Sequence, residues 1–222
     1  MWADQTAHFS ADYSVLTPTL PGHHLHDPSS FSTHAEAAKE VARETGLLGL
    51  SRPVTVIGFS LGGQTATQLA ASYPDHVERL VVVSSLMSPW PGATVFGALA
   101  AASAPLSRSR CFARAQAAQL AVPAEMFEDY YALSRSISAR TLRRLIQANF
   151  SFSVPDEVLS SPIPALLMAG DKEETRLVRS MEDVHAKVRN SSLQIHPGVG
   201  HGMPLAQPGL FNASLRRWLE TV

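Results

Sequence analysis

Two hydrophobic rhythms alternate along the chain. Short β-branched or aliphatic runs bounded by turn residues occupy 14–17, 54–57, 80–84, 165–169 and 193–196, and each predicts a buried strand. Longer stretches with helical spacing lie among them at 33–45, 64–72, 178–188 and 210–221. Strands separated by helices form parallel βαβ units, so the pattern predicts an α/β fold with a doubly wound, mostly parallel sheet. One interval breaks the rhythm. Residues 88–161 hold no convincing strand but carry helical patches at 113–120, 124–133 and 139–149. About 70 residues is far longer than an ordinary connection, so this stretch is expected to be a helical cap (88–161) inserted into a core made of 1–87 and 162–222.

Composition narrows the class. With 222 residues, 45% hydrophobic and 17% charged, the chain can bury a sizeable core and is not of disordered type. Its 18 basic and 19 acidic side chains give a net charge of −1, with no block of like charge, so neither nucleic acid nor an anionic membrane surface is expected as a partner. Cys111 is the only cysteine, which excludes an internal disulfide and a thiolate metal cage and fits a reducing, cytoplasmic setting. The first 20 residues hold Asp4 and Asp12 but no Lys or Arg, so no secretory signal is expected. The uncharged run 80–107 is interrupted by Pro89, Pro91, Gly92, Gly97 and Pro105, which argues against a membrane span.

The candidate chemistry begins at Gly58-Phe59-Ser60-Leu61-Gly62, where a predicted strand runs directly into a predicted helix. This is the setting of a nucleophile elbow, with Ser60 on a strained turn and the flanking Gly58 and Gly62 expected to keep side chains clear of the crossing. The Leu61 N–H, opening the helix, is the expected oxyanion donor. A serine of ordinary acidity needs a base, and the base an orienting acid. His201, between Gly200 and Gly202 in a loop after the last strand, is the candidate base, whereas His196 lies within the strand. After the strand at 165–169, Gly170-Asp171-Lys172-Glu173-Glu174 offers three carboxylates as the acid.

These residues together resemble the α/β-hydrolase family, in its cap-bearing, esterase-like form. Trp2-Ala3-Asp4-Gln5, Leu20-Pro21-Gly22-His23, the stretch 73–81 and the stretch 204–219 extend the resemblance over nearly the whole chain outside the cap. It implies that the acid lies three residues after the glycine ending its strand, which selects Glu173 where the family more often has Asp; Asp171 and then Glu174 are the alternatives. It also implies that three strands precede the Trp2 helix, the third ending in a His-Gly loop that gives a second oxyanion donor. The chain begins after that loop, so the fold is expected to be an N-terminally shortened hydrolase. A slot would separate the strands at 14–17 and 54–57; the expected alternatives are that these strands close up, that another chain fills the slot, in which case a homo-oligomer follows, or that the true protein starts upstream of Met1. Losing one oxyanion donor costs ~10²- to 10³-fold in rate.

The expected activity is hydrolysis of a small ester or related acyl substrate through Ser60, His201 and Glu173, with no metal or organic cofactor implied. Two other readings accompany it: C–C bond or amide hydrolysis on the same triad, and an impaired, hydrolase-like protein that binds a ligand or partner. His23, His24 and His26 with Asp27 form a weak metal candidate, better read as a polar loop. Asn212-Ala213-Ser214 matches a glycosylation sequon but is expected on a helix surface. Phe96, Phe112, Phe127, Tyr130, Tyr131 and Phe150 are expected either to line an acyl pocket or to form ordinary cap core.

Overall fold

Four of the five predicted strands pair into one sheet. In the computed structural model, which describes residues 1–23 and 31–222, β1 (Val54–Phe59), β2 (Val77–Val83), β3 (Ala165–Gly170) and β4 (Ser191–His196) run parallel in the order β1-β2-β3-β4. The register places Gly58, Val82, Leu167 and Leu193 in one row across the sheet. The continuous apolar runs are explained by burial on both faces. Leu80, Val82, Ala165 and Leu167 belong to one core cluster, while Val81, Val83, Leu166 and Met168 belong to the other.

Eleven α-helices surround the sheet among the described residues: α1 (Ala3–Phe9), α2 (His34–Glu44), α3 (Leu61–Ser72), α4 (Ala93–Ser103), α5 (Arg110–Gln119), α6 (Phe127–Ser136), α7 (Ala139–Ser151), α8 (Asp156–Leu159), α9 (Thr175–Lys187), α10 (Met203–Ala206) and α11 (Pro208–Leu219). Helices α2, α3, α8 and α9 supply the first core cluster; α1, α10 and α11 supply the second. The stretch 204–219 is divided between two helices, α10 and α11. Pro208 has no N–H to continue the ladder and disfavours helical backbone at the residue before it, so Gln207 leaves the helix at φ −138° and ψ 58°.

Residues 14–17 do not form the fifth strand. They are not paired, and β1 is an edge of the sheet. A strand needs a neighbour at ladder distance, roughly 4.8 Å, and none of the described strands lies beyond β1; Val15 instead packs against the second cluster. The segment and β1 have therefore not closed up on each other. Asn212 also departs from expectation: it is buried, and its side-chain oxygen accepts a hydrogen bond from Gln5 Nε2 at 3.3 Å, while the same Gln5 nitrogen donates to the Pro204 carbonyl at 3.1 Å. Because α1 docks through Gln5, a helix position that reads as surface becomes interior.

Between β2 and β3 the chain carries α4 to α8 and no strand. Helices α4 and α7 cross closely at Gly97, where an added methyl group would meet Gln147 Cγ at 2.4 Å. Gln64 Nε2, from α3, donates to the carbonyls of Leu86 at 2.7 Å and Asn149 at 3.0 Å, tying this helical region to the sheet layer. No helix among the described residues is long and apolar enough to cross a membrane.

His34, at the start of α2, is buried with Nδ1 3.1 Å from Thr65 Oγ1. Burial drives its pKa down to about 4, partly offset by the Ala148 backbone and the Gln64 side chain. The folded value lies below the unfolded one of about 6.5, so neutral His34 gives its full stabilisation above pH 6.5 and loses it as the pH falls toward 4. The loss should amount to about 3 kcal/mol at pH 4. Urea unfolding between these pH values should therefore show a steep loss of stability in the wild type and a shallower one in His34→Leu; equal slopes would contradict the assignment.

Candidate active site

The elbow is built from backbone contact. Ser60, between β1 and α3, sits at φ 54° and ψ −122°, a region that side chains other than glycine rarely adopt. Its N–H donates to the Val83 carbonyl at 2.8 Å and its own carbonyl accepts from Gly63 N–H at 2.9 Å. A methyl group at Gly58 would lie 2.2 Å from the Gly62 carbonyl oxygen, so only glycine permits the strand-to-helix crossing there. The expected role of Gly62 is not observed, because a methyl group there would meet open space. The second close approach is at Gly63, where it would lie 2.0 Å from Ser85 Oγ. Leu61 is the first residue of α3, so its N–H has no acceptor within the helix and is available near Ser60 Oγ.

His201 reaches the elbow from the loop after β4. Its Nε2 lies 3.0 Å from Ser60 Oγ and its Nδ1 2.9 Å from Glu173 Oε2. A carboxylate only accepts, so Nδ1–H donates to Glu173 and Nε2 of the neutral ring is left to accept the Ser60 hydroxyl proton. The imidazole also packs on Phe59, ring centroids 5.1 Å apart. Gly170 makes this meeting feasible: a methyl group on it would lie 2.0 Å from the Val199 carbonyl, where the β3 turn crosses the His201 loop.

The three candidate carboxylates have three separate jobs. Glu173, its side chain 0% exposed, accepts from Ser84 Oγ at 2.6 Å and Gly170 N–H at 3.0 Å on Oε1, leaving Oε2 for His201. Burial pushes its carboxyl up, yet the hydrogen bonds from His201, Ser84 and Gly170 outweigh this and hold it below the ordinary glutamate value. Asp171 instead accepts from Gly198 N–H at 2.7 Å, fixing the turn after β4. Glu174 caps α9 by accepting from the N–H groups of Arg176 and Leu177. His196 is half-buried within β4; burial lowers its pKa, and no contact joins it to Ser60.

Four of the six aromatic candidates fall in two packed groups. Trp90, Phe96 and Phe150 meet with centroids 5.1 to 6.3 Å apart, and Phe127 stacks on Tyr131 at 6.0 Å beneath the Arg110 guanidinium. Among the described residues no group of three His, Cys, Asp or Glu side chains is placed to hold a metal ion. His24, His26 and Asp27 lie outside the described residues; His23 Nδ1 is 3.3 Å from the Pro21 carbonyl.

The sequence reading missed Ser84 and Ser85. The signal was a polar pair directly after the buried run Leu80-Val81-Val82-Val83, at the sheet end where Ser60 and Gly170 also emerge.

The model of the alpha/beta hydrolase family matches residues 1–214. The chain belongs to that family. As an alpha/beta hydrolase it is an enzyme of the hydrolase type, and relatives agree. It is 25% identical over 198 residues to the proposed carbamate hydrolase RutD of Caulobacter sp. (strain K31), covering 85% of this chain and 73% of that one. It is 33% identical over 85 residues, 38% of this chain and 31% of the other, to a pimeloyl-[acyl-carrier protein] methyl ester esterase of Vibrio atlanticus. Among solved structures, the thermophilic esterase of Thermogutta terrifontis superposes with a TM-score of 0.80 at 20% identity, over 99% of this hydrolase and 84% of that chain. MenH from S. aureus gives 0.81 at 18% identity, over 99% and 88%. At such identity these structures show the shared fold.

The glycine contacts give a direct test. Gly58→Ala should cost about 3 kcal/mol of unfolding free energy, because backbone faces the new methyl group, whereas Gly62→Ala should leave stability unchanged or slightly raised. Denaturant titration of both variants checks this; equal losses would contradict the packing described.

Proposed function

We propose that this alpha/beta hydrolase is a serine hydrolase that cleaves a small ester or related acyl substrate through an acyl-enzyme intermediate. The observation that carries the reading is the unbroken line of contacts Ser60 Oγ, His201 and Glu173. Ser60 Oγ attacks the substrate carbonyl carbon as its proton passes to His201 Nε2. Glu173 holds the resulting imidazolium, and the Leu61 N–H faces the developing oxyanion. Collapse expels the alcohol, which takes the proton from His201; a water molecule then repeats the sequence on the acyl-enzyme and frees Ser60.

In this reading 88–161 is the cap that shapes the substrate pocket over a core of 1–87 and 162–222. Ester substrates are supported by the methyl ester esterase among the relatives, and acyl compounds more broadly by RutD. The same triad can serve C–C bond or amide hydrolysis. A cytoplasmic site of action is supported by the single, exposed Cys111. A second reading, a hydrolase-like protein that binds without turnover, is favoured by one observation: β1, which delivers Ser60, is an edge strand.

A fluorophosphonate probe should label the wild type at Ser60 and leave Ser60→Ala unlabelled. On a short p-nitrophenyl ester, Glu173→Gln should lower kcat by roughly 10³- to 10⁴-fold, as expected when the acid no longer fixes the base, whereas Asp171→Asn should stay within about tenfold of wild type. Turnover no higher than that of Ser60→Ala would favour the binding reading, and equal effects of the two carboxylate variants would overturn the assignment of the acid.

A further inference from the structure

We infer that the dipeptide Ser84-Ser85 is a positioning brace for the triad, Ser84 aiming the Glu173 carboxylate at His201 while Ser85 holds the backbone of the Ser60 turn. The inference rests on the triad reading above and adds two residues to it. β2 lies between β1 and β3 in the sheet, so the residues that follow it emerge between the strand that delivers the nucleophile and the strand that delivers the acid. Ser84 Oγ donates to Glu173 Oε1 at 2.6 Å, and Ser85 Oγ donates to the Ser60 carbonyl at 2.5 Å. Both serines are 0% exposed, so neither hydroxyl is there for solvation.

Three further features bind the pair to this task. Ser84 sits at φ 51°, a left-handed backbone held in place by its N–H bond to the Met168 carbonyl at 2.8 Å, and from this turn the Ser84 hydroxyl reaches the segment after β3 while the Ser85 hydroxyl reaches the one after β1. Gly63 leaves the space that Ser85 Oγ fills, since a methyl group there would lie 2.0 Å from that oxygen. Finally, the acid is a glutamate, with one more rotatable bond than an aspartate. Its Oε1 is pinned by Ser84 and by Gly170 N–H, which leaves Oε2 fixed on His201 Nδ1. A hydrogen bond of this length to a carboxylate is of the strong, charge-assisted kind.

The test compares Ser84→Ala, Ser84→Gly and Ser85→Ala in the full chain, with kcat, KM and the pH profile of kcat/KM on p-nitrophenyl acetate. Ser84→Ala should lower kcat about tenfold with KM little changed. It should also move the acidic limb to higher pH, because the hydroxyl dipole favours the more negative, unprotonated form of the Glu173–His201 pair. Ser84→Gly should behave alike, since glycine accepts φ 51° and loses only Cβ in addition to the hydroxyl. Ser85→Ala should lower kcat and leave the limb in place. The brace is overturned if Ser84→Gly matches wild type, if the limb is unmoved in both Ser84 variants, or if Ser85→Ala moves it equally. Absence of fluorophosphonate labelling in the wild type would instead sink the triad reading. The Glu173 carboxyl then remains readable by ¹³C titration, and a value that does not rise in Ser84→Ala would overturn the brace on its own.

Discussion

A carboxylate removed from water is tolerated only where donors replace its hydration, and the Glu173 side chain is wholly buried. Its donors come from three places: Ser84 at the end of β2, Gly170 at the end of β3, and His201 in the loop beyond β4. Ser84 and Ser85 in turn follow the strand that accepts the Ser60 N–H through Val83. The charge of Glu173 is thus the point at which three neighbouring strand ends are held in one geometry. Removing any donor leaves the charge less well compensated, which is why the site and the upper edge of the sheet stand or fall together.

Close backbone approach is the second requirement. At Gly58, Gly63 and Gly170 an added methyl group would lie 2.0 to 2.2 Å from its nearest neighbour, and at Gly202 it would lie 2.4 Å from Ala121 Cβ. The first two bring β1, α3 and the end of β2 together around Ser60; the third brings the acid turn against the histidine loop. Gly202 seats that loop against the residues following α5, so the helical excursion between β2 and β3 touches the neighbour of His201 directly. Ala121 meets it at φ 52°, one of three non-glycine residues with this backbone among the described residues, alongside Ser60 and Ser84. All three lie at or against the candidate site, where stored strain is expected to concentrate.

Much of this was legible in the residues. The apolar runs at β1 to β4 were readable because both faces of the sheet are covered, and Ser60 and His201 stand out because turn glycines and strand ends mark them, whereas Glu173 was selected from three neighbouring carboxylates only by the family resemblance. The segment at 14–17 misled because hydrophobic pattern records burial, which Val15 has in part, but not the presence of a pairing neighbour. Gly62 misled because the motif does not say which glycine bears the contact. Asn212 misled because its partner, Gln5, lies 207 residues away in sequence. The serines after β2 carry no motif; their importance comes from strand order, which brings residues 84 and 173 within 2.6 Å.

The geometry of the site depends on Glu173, and not Asp171, holding the Nδ1 proton of His201. Proton NMR reads that bond without any substrate, because a proton shared with a buried carboxylate is strongly deshielded and slow to exchange. One such far-downfield resonance is predicted in the wild type, absent in His201→Ala and Glu173→Gln, and retained in Asp171→Asn. Its survival in Glu173→Gln, or its loss in Asp171→Asn, would contradict the account.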